Sequence, residues 1–78
     1  MNLQRAVATR INNLLIKHGI TRYRLCHNIA MSEQTVKNII DETTKDIKLS
    51  TIADIADGFG MSIVEFFSDP LFDPENID

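Results

Sequence analysis

The sequence predicts an all-α fold in which five short helices form one compact domain. Its apolar residues recur three and four positions apart, the spacing of one helix face, and no segment alternates as a half-buried strand does. Residues that favour helix N-caps precede most of these segments, and glycine follows two of them. The chain has 78 residues, of which 44% are apolar, so a single domain with a modest core is expected.

The first helix is predicted from Leu3 to His18. Gly19 follows it and favours the left-handed conformation that ends many helices, while Lys17 and His18 lie near the negative end of the helix dipole. The apolar face of this amphipathic helix consists of Leu3, Val7, Ile11, Leu14 and Leu15.

Two short helices joined by a tight turn are predicted next. Thr21 is the expected N-cap of the second helix, which ends near Ile29, and Ser32 is the N-cap of the third, residues 33–41. Residues 30–32 separate the two helices, which leaves room for no more than a turn. The apolar or small residues that share one face of each helix are Leu25, Cys26, Ile29, Val36 and Ile39. This spacing is typical of a helix-turn-helix, whose second helix enters the major groove of DNA.

A polar loop and a fourth helix are predicted between residues 42 and 60. The loop, residues 42–48, is rich in threonine and lysine and has no apolar periodicity. The helix is expected to follow Ser50 and to end at Gly60, with Gly58 weakening its last turn. Its inner face consists of Ile52, Ile55, Ala56 and Phe59.

The fifth helix is predicted to be short, and an acidic tail follows it. Ser62 and Glu65 stand three positions apart, as in a capping box, and predict a helix over residues 63–68. The domain is therefore predicted to span residues 1–68. Two prolines interrupt residues 69–78, a tail without apolar periodicity that we expect to be extended or loosely ordered.

Positive and negative charges are divided unevenly along the chain, whose net charge is −3. Residues 1–48 contain all eight lysines and arginines and four acidic residues, a net charge of +4. Residues 49–78 contain seven acidic residues and no basic one, a net charge of −7. The basic half includes the predicted helix-turn-helix, which is the arrangement that binding to the phosphate backbone of DNA requires.

The sequence resembles the Cro/repressor-type, or Xre-like, family of helix-turn-helix regulators over about residues 10–67. The resemblance rests on the apolar pattern of the second and third helices, on residues 49–52, and on residues 56–62, which are similar to the family's A-x-x-L-G-V-S join. The sequence departs from the family at Ala30, where glycine is common, and at Arg22, where glutamine is frequent. The resemblance implies a lambda-repressor-like domain that binds duplex DNA and regulates transcription as a repressor.

The predicted reading helix offers a row of polar side chains on the face opposite its apolar residues. Glutamine and asparagine form paired hydrogen bonds with adenine, lysine reaches guanine or a phosphate, glutamate accepts from cytosine, and threonine contacts the thymine methyl group. The residues expected to read bases are Glu33, Gln34, Thr35, Lys37 and Asn38. The resemblance places Glu33, Gln34 and Asn38 at the family's base-reading positions.

Phosphate contacts fix the register of a protein on DNA rather than its sequence preference. Arg22 opens the second helix, where its charge and the helix N-terminus are both available to a phosphate. The residues expected to contact phosphates are Arg22, Ser32, Lys45 and Lys48. An ordinary solvated surface charge is the alternative for each lysine and arginine, and it is the expectation for Arg5 and Arg10 on the first helix.

The leading hypothesis is a small sequence-specific regulator that binds an inverted repeat of double-stranded DNA as a homodimer. One helix-turn-helix buries little surface, so useful affinity needs two half-sites, about 34 Å apart. The dimer interface is expected at Phe66, Phe67, Leu71 and Phe72, and the alternative for Leu71 and Phe72 is that they cover the core of their own chain. The alternative is a protein-interaction module, such as an antitoxin or adaptor, that binds a protein partner through its acidic second half and binds DNA weakly at physiological salt.

No catalytic or metal-binding pattern is present in the sequence, so neither enzymatic activity nor a cofactor is expected. The two histidines and Cys26 lack the spacing of a zinc site. A single cysteine excludes an internal disulfide and fits a reducing cytosol. No apolar run has the length of a membrane span and no signal-peptide pattern opens the chain. We therefore expect a cytoplasmic protein of bacterial, phage or mobile-element origin that binds no membrane.

Overall fold

The computed structural model describes all 78 residues and contains five α-helices, one 3-10 helix and no strand. The helices are α1 (Leu3–His18), α2 (Arg22–Ile29), α3 (Glu33–Ile40), α4 (Leu49–Gly58), α5 (Ile63–Phe67) and the 3-10 helix Pro70–Phe72. The predicted all-α class and the predicted number of α-helices are confirmed.

The core of the protein is formed by apolar side chains from all five α-helices. α1 packs against α3 and against the 3-10 helix, α2 packs against both α3 and α4, and α4 packs against α5. The largest side chains that are fully buried are Ile11, Leu14, Leu25, Val36, Ile55 and Phe66. Burial of each such side chain contributes about 1.5–3 kcal/mol, so α2 and α3 are fixed to the rest of the fold by their apolar faces.

The ends of the first three helices follow from local capping interactions. The hydroxyl of Thr21 accepts a hydrogen bond from the backbone N–H of Arg24 at 3.1 Å, and that of Ser32 accepts from Thr35 at 3.2 Å. Gly19 ends α1 in the left-handed conformation, with φ at 64°. These residues were predicted to cap α1, α2 and α3, and each does so because it satisfies backbone groups that the helix leaves free.

α4 begins two residues earlier than its sequence predicts. Lys48, which has extended backbone angles, is the N-cap, and no side chain caps the helix. The carbonyl of Lys48 already accepts from the backbone N–H of Ile52 at 3.2 Å, so Ser50 lies in the first turn rather than before it. The helix ends at Gly58, and Gly60 takes the left-handed conformation in the turn that follows.

Gly58 allows α2 and α4 to approach each other closely. A Cβ atom at this position would lie 2.5 Å from Cγ2 of Ile29 and 2.8 Å from Cδ1 of Leu25. Both distances are shorter than van der Waals contact, so any larger residue would force the side chains of Ile29 and Leu25, or α2 itself, to move. The sequence predicted only that Gly58 weakens the end of α4, because helix propensity carries no information about a neighbouring helix.

α5 begins with the predicted capping box and ends one residue early, at Phe67. The Ser62 hydroxyl accepts from the backbone N–H of Glu65 at 3.1 Å, and the Glu65 carboxylate accepts from that of Ser62 at 3.2 Å. Residue 68 has left the helical conformation and serves as the C-cap.

Residues 69–78 fold back onto the domain, so the expectation of an extended or loosely ordered tail is wrong. The ring of Phe72 packs against the rings of Phe66 and Phe67, with centroids 6.2 and 4.8 Å away. The N-terminal ammonium group of Met1 donates a hydrogen bond to the carbonyl of Asn76 at 2.9 Å. The tail is ordered because its aromatic side chain completes the core, a contact that apolar periodicity does not reveal.

Arg10 holds the tail and the end of α5 in place, which corrects the expectation that it is merely solvated. Its guanidinium group donates to the carbonyls of Phe66 at 2.8 Å and Glu65 at 3.1 Å, and it forms an ion pair with Asp69 at 3.1 Å. Only 12% of the Arg10 side chain remains exposed. The cation therefore pairs the carbonyl of Phe66, and at the carbonyl of Glu65 it adds to the hydrogen bond from the backbone N–H of Ser68.

The burial of the aromatic cluster also changes the expected dimer interface. Phe66 is completely buried within its own chain, so it has no surface to offer a second copy. Phe67, Leu71 and Phe72 are each half-buried. Phe66 is a core residue because its ring lies under Arg10, Phe67 and Phe72.

Candidate nucleic-acid interface

The turn between α2 and α3 is closed by a non-glycine residue in the left-handed conformation. Ala30 has φ at 53° and ψ at 40°, at a cost of about 1 kcal/mol for a residue with a Cβ atom. The backbone N–H of Met31 donates to the carbonyl of Cys26 at 3.0 Å, and this hydrogen bond closes the turn. The departure from glycine at this position therefore leaves the turn geometry intact.

The buried side of the two helices fixes the angle at which α3 meets the surface. Leu25, Cys26, Val36 and Ile39 are each 2% exposed or less. Burial raises the pKa of the Cys26 thiol, and the nearby negative charge of Glu33 raises it further. The thiol is therefore protonated at neutral pH and serves as a small apolar residue of the core, as the sequence predicted.

The opposite side of α3 is polar. Glu33, Gln34 and Lys37 are exposed and Asn38 is half-buried, and their positions lie along one face of the helix. Thr35 is also exposed, but it lies at the edge of this face, with its hydroxyl 2.8 Å from that of Ser32. The structure thus brings four of the five expected base-reading residues onto one polar face, which we call the reading face: Glu33, Gln34, Lys37 and Asn38.

Lys37 is engaged within the protein. Its ammonium group lies 2.6 Å from the carboxylate of Asp41, one helical turn further along α3. This hydrogen bond, together with the positive charge of Lys37, holds the pKa of the Asp41 carboxyl below its usual range. Opposite charges four positions apart meet on a helix, so the sequence does contain the signal for this pair, which is absent from the predicted contacts.

Gln34 and Asn38 are joined by a hydrogen bond, and Thr43 meets the same group from the following loop. The side-chain N–H of Gln34 donates to the Asn38 carboxamide oxygen at 2.7 Å. The Thr43 hydroxyl lies 3.3 Å from that oxygen and 3.3 Å from the backbone carbonyl of Asn38. No sequence pattern identifies Thr43 as a neighbour of the reading face, because it lies outside the helix.

The loop between α3 and α4 is attached to the first turns of α1. The carboxamide group of Gln4 donates to the backbone carbonyls of Thr44, at 2.9 Å, and of Lys45. Arg5 forms an ion pair with Glu42 at 3.3 Å, and Glu42 takes the left-handed backbone conformation. These contacts fix the path of the loop from more than 35 residues away, and nothing in the sequence indicates them.

The residues expected to contact phosphates are all on the surface. The exposed group comprises Arg22, Ser32, Lys45 and Lys48. Arg22 opens α2, whose first turn contains no acidic residue. The hydroxyl of Ser32 is occupied in capping α3, whereas the ion pairs of the structure leave Arg22, Lys45 and Lys48 free. Three uncompensated cations thus belong to the segments that precede and follow α3.

Two further features bear on the kind of site this is. No group of three or more histidine, cysteine, aspartate or glutamate residues is placed to hold a metal ion. No helix combines the length and the apolar character needed to cross a membrane.

Two short helices at a tight turn, the first packed on the core and the second with a polar exposed face, define a helix-turn-helix DNA-binding protein. A family model described as the Cro/C1-type HTH DNA-binding domain matches residues 10–70. The chain belongs to this family, so the resemblance inferred from the sequence is confirmed. No match to the chain was found among curated proteins or among solved structures.

Proposed function

We propose that the protein is a sequence-specific transcriptional repressor that binds an inverted repeat in duplex DNA as a homodimer. The observation that carries this proposal is the polar reading face of α3, three of whose four side chains are exposed, between segments that contain cations without an ion pair. A helix so placed fits the width of the major groove. Occupation of the groove by two copies denies the same DNA to polymerase, which is the simplest form of repression.

The side chains divide into those that read bases and those that fix the register. The reading face supplies the base contacts, with Thr35 at its edge. Arg22, Lys45 and Lys48 supply charge to phosphates, and Arg22 does so at a helix N-terminus, where free backbone N–H groups also favour an anion. Ser32 adds a hydroxyl on the same side. Each phosphate contact strengthens binding to all sequences alike.

The proposed dimer surface lies on α5 and the 3-10 helix. Phe67, Leu71 and Phe72 keep part of their apolar surface exposed, and Val64 on α5 is 71% exposed. Apolar side chains of this size favour association when a second copy covers them. Two copies joined there present two copies of α3, as an inverted repeat requires.

One observation favours a second function, that of a protein-interaction module. Of the acidic residues in the second half, Asp69 pairs with Arg10 and Asp78 lies 3.5 Å from the N-terminal ammonium group. The carboxylates that have no ion pair are those of Asp54, Asp57, Glu65, Asp73 and Glu75. A basic protein partner would complement this surface, as an antitoxin or adaptor requires.

The experiment that separates the two functions is selection of bound duplexes from a random DNA pool at physiological salt, followed by sequencing. Recovery of an inverted repeat supports the dimeric regulator and gives its operator. Recovery of no motif contradicts it and favours the protein-interaction module.

Two variants serve as controls for that selection. The double variant Gln34→Ala with Asn38→Ala removes two side chains of the reading face. The DNA that it selects should have lost the sequence preference of the wild-type motif. A matched variant, Asn12→Ala with Asn13→Ala, changes two exposed residues of α1 and should recover the wild-type motif.

A further inference from the structure

We infer that Thr43 sets the hydrogen-bonding polarity of Asn38 and so determines which base Asn38 selects. The inference rests on the proposed function and adds a specificity-determining residue outside the helix that reads DNA. Thr43 is a positioning residue, because it acts through the carboxamide group of Asn38.

The geometry places two donors on one oxygen. The Asn38 carboxamide oxygen accepts from the Gln34 side chain at 2.7 Å and lies 3.3 Å from the Thr43 hydroxyl. The Thr43 hydroxyl has a single hydrogen and lies equally far, 3.3 Å, from the backbone carbonyl of Asn38. Because that carbonyl already accepts from the Thr43 backbone N–H, we assign the hydroxyl hydrogen to the carboxamide oxygen, whose two lone pairs are then both used within the protein. Thr43 is itself fixed to α3, because its backbone N–H donates to the backbone carbonyl of Asn38 at 2.9 Å.

As a result, the carboxamide group of Asn38 presents only hydrogen-bond donors to solvent. Asn38 turns its oxygen inward and offers only the hydrogens of its nitrogen to a base. A free asparagine reads adenine by donating to N7 and accepting from N6–H, and Asn38 can no longer accept. Guanine presents acceptors at both O6 and N7, so Asn38 prefers guanine to adenine.

Gln34, in contrast to Asn38, can still both donate and accept a hydrogen bond. One of its side-chain hydrogens is used on Asn38, but its oxygen and its second hydrogen remain free. It therefore retains the donor and acceptor that adenine requires. One turn of α3 thus reads adenine through Gln34 and guanine through Asn38, although both residues carry the same functional group.

The inference depends on the hydroxyl group of Thr43 rather than on its shape. Thr43→Val removes the hydroxyl and keeps the branched side chain, whereas Thr43→Ser keeps the hydroxyl. Without the hydroxyl, the Asn38 oxygen keeps only the hydrogen bond from Gln34. It can then accept a hydrogen bond from adenine N6, so Asn38 can also bind adenine. A hydrogen bond of ordinary net strength corresponds to about a fivefold change in preference.

The first measurement is selection from a random duplex pool with the wild type, Thr43→Val, Thr43→Ser and the matched variant Thr44→Val. The hydrogen bond of Thr44 is made by its backbone carbonyl, so Thr44→Val leaves the Asn38 group untouched. In Thr43→Val the preference for guanine over adenine should fall about fivefold at one position of each half-site. The adenine that Gln34 contacts should remain in the recovered motif. Thr43→Ser and Thr44→Val should keep the wild-type motif.

The second measurement uses the free protein and needs no DNA. The order parameter of the Asn38 side-chain amide, from NMR relaxation, should fall in Thr43→Val and remain high in Thr43→Ser and Thr44→Val.

An unchanged motif together with an unchanged order parameter in Thr43→Val overturns the inference while leaving the regulator intact. A uniform loss of affinity without a change at one base pair also overturns it, because a purely structural role has that signature. Failure of the wild type to recover any motif overturns both the inference and the proposed function.

Discussion

Lys37 and Asp41 show how a residue on the reading face is tuned by its neighbour. Their charged groups lie 2.6 Å apart and both are solvent-exposed, so the pair is readily broken by salt or by a phosphate. In the free protein Lys37 is therefore partly neutralised. In the proposed complex with DNA, Lys37 would exchange this carboxylate for a phosphate or a base.

Removal of the carboxylate should strengthen binding to every DNA sequence. Asp41→Asn frees Lys37 and removes a negative charge beside the phosphates, so the slope of log affinity against log salt should steepen by about one. Fluorescence anisotropy with an operator duplex and a random duplex measures both slopes. Asp54→Asn on α4 makes the same change in net charge, and equal steepening in that control would contradict a local effect.

The same pair makes stability depend on pH in a defined direction. Because the pKa of Asp41 is lowered in the folded protein, its ion pair stabilises the fold above the ordinary carboxyl pKa. The contribution is lost as the pH falls through the lower folded-state pKa. Urea unfolding from neutral to acidic pH should show this loss in the wild type, and its persistence in Asp41→Asn would assign it to another group.

Gln34 should carry base discrimination rather than general affinity. Gln34→Ala removes a paired contact to adenine, which is worth about 1–3 kcal/mol on the preferred site. The preference at its own base pair should relax, while binding to random DNA changes little. Titration of matched operator variants measures the difference, and an equal loss on random DNA would make Gln34 a nonspecific contact.

At the scale of helices, the structure shows which signals are local. The caps at Thr21, Ser32 and Ser62 were predictable, since each depends on groups within three residues in the sequence. The start of α4 was not, because Lys48 caps it with its backbone and without a side chain. The contact of Gly58 with α2 was not predictable either, since it joins two helices.

Gly58 should be intolerant of even one added carbon. Gly58→Ala places a Cβ atom 2.5 Å from Ile29, and the resulting overpacking should cost about 1–3 kcal/mol, although alanine is the better helix former. Urea unfolding measures the loss. Ile29→Ala removes the clashing carbon, so the double variant should lose less than the sum of the single changes. Strict additivity would mean that the two residues do not meet.

At the scale of the molecule, the features that the sequence did not predict depend on contacts between residues far apart in the chain. Arg10 reaches carbonyls more than 50 residues away, and Gln4 reaches a loop 40 residues away. Neither residue belongs to an apolar stripe or to a recognisable motif. The helices and the helix-turn-helix were therefore predictable, whereas the ordered tail and the support of the loop were not.

Arg10 should contribute more to stability than an arginine in an exposed ion pair does. Arg10→Ala removes two hydrogen bonds to carbonyls and one ion pair at the end of α5, at a cost of about 2–3 kcal/mol. Arg5→Ala, which breaks an exposed ion pair, should cost less than about 1 kcal/mol. Thermal unfolding of both variants measures the contrast, and similar values would refute the role given to Arg10.

The close approach at Gly58 has a consequence for motion. Leu25 and Ile29 rest on the glycine backbone of α4, so α2 cannot swing outward without exposing core surface. We therefore expect amide hydrogens near the end of α2 to exchange with solvent only when the whole domain opens, which hydrogen exchange measures. Adjustment to the curvature of a particular duplex must come from side chains and from the loop, while the two helices of the motif stay at a constant angle.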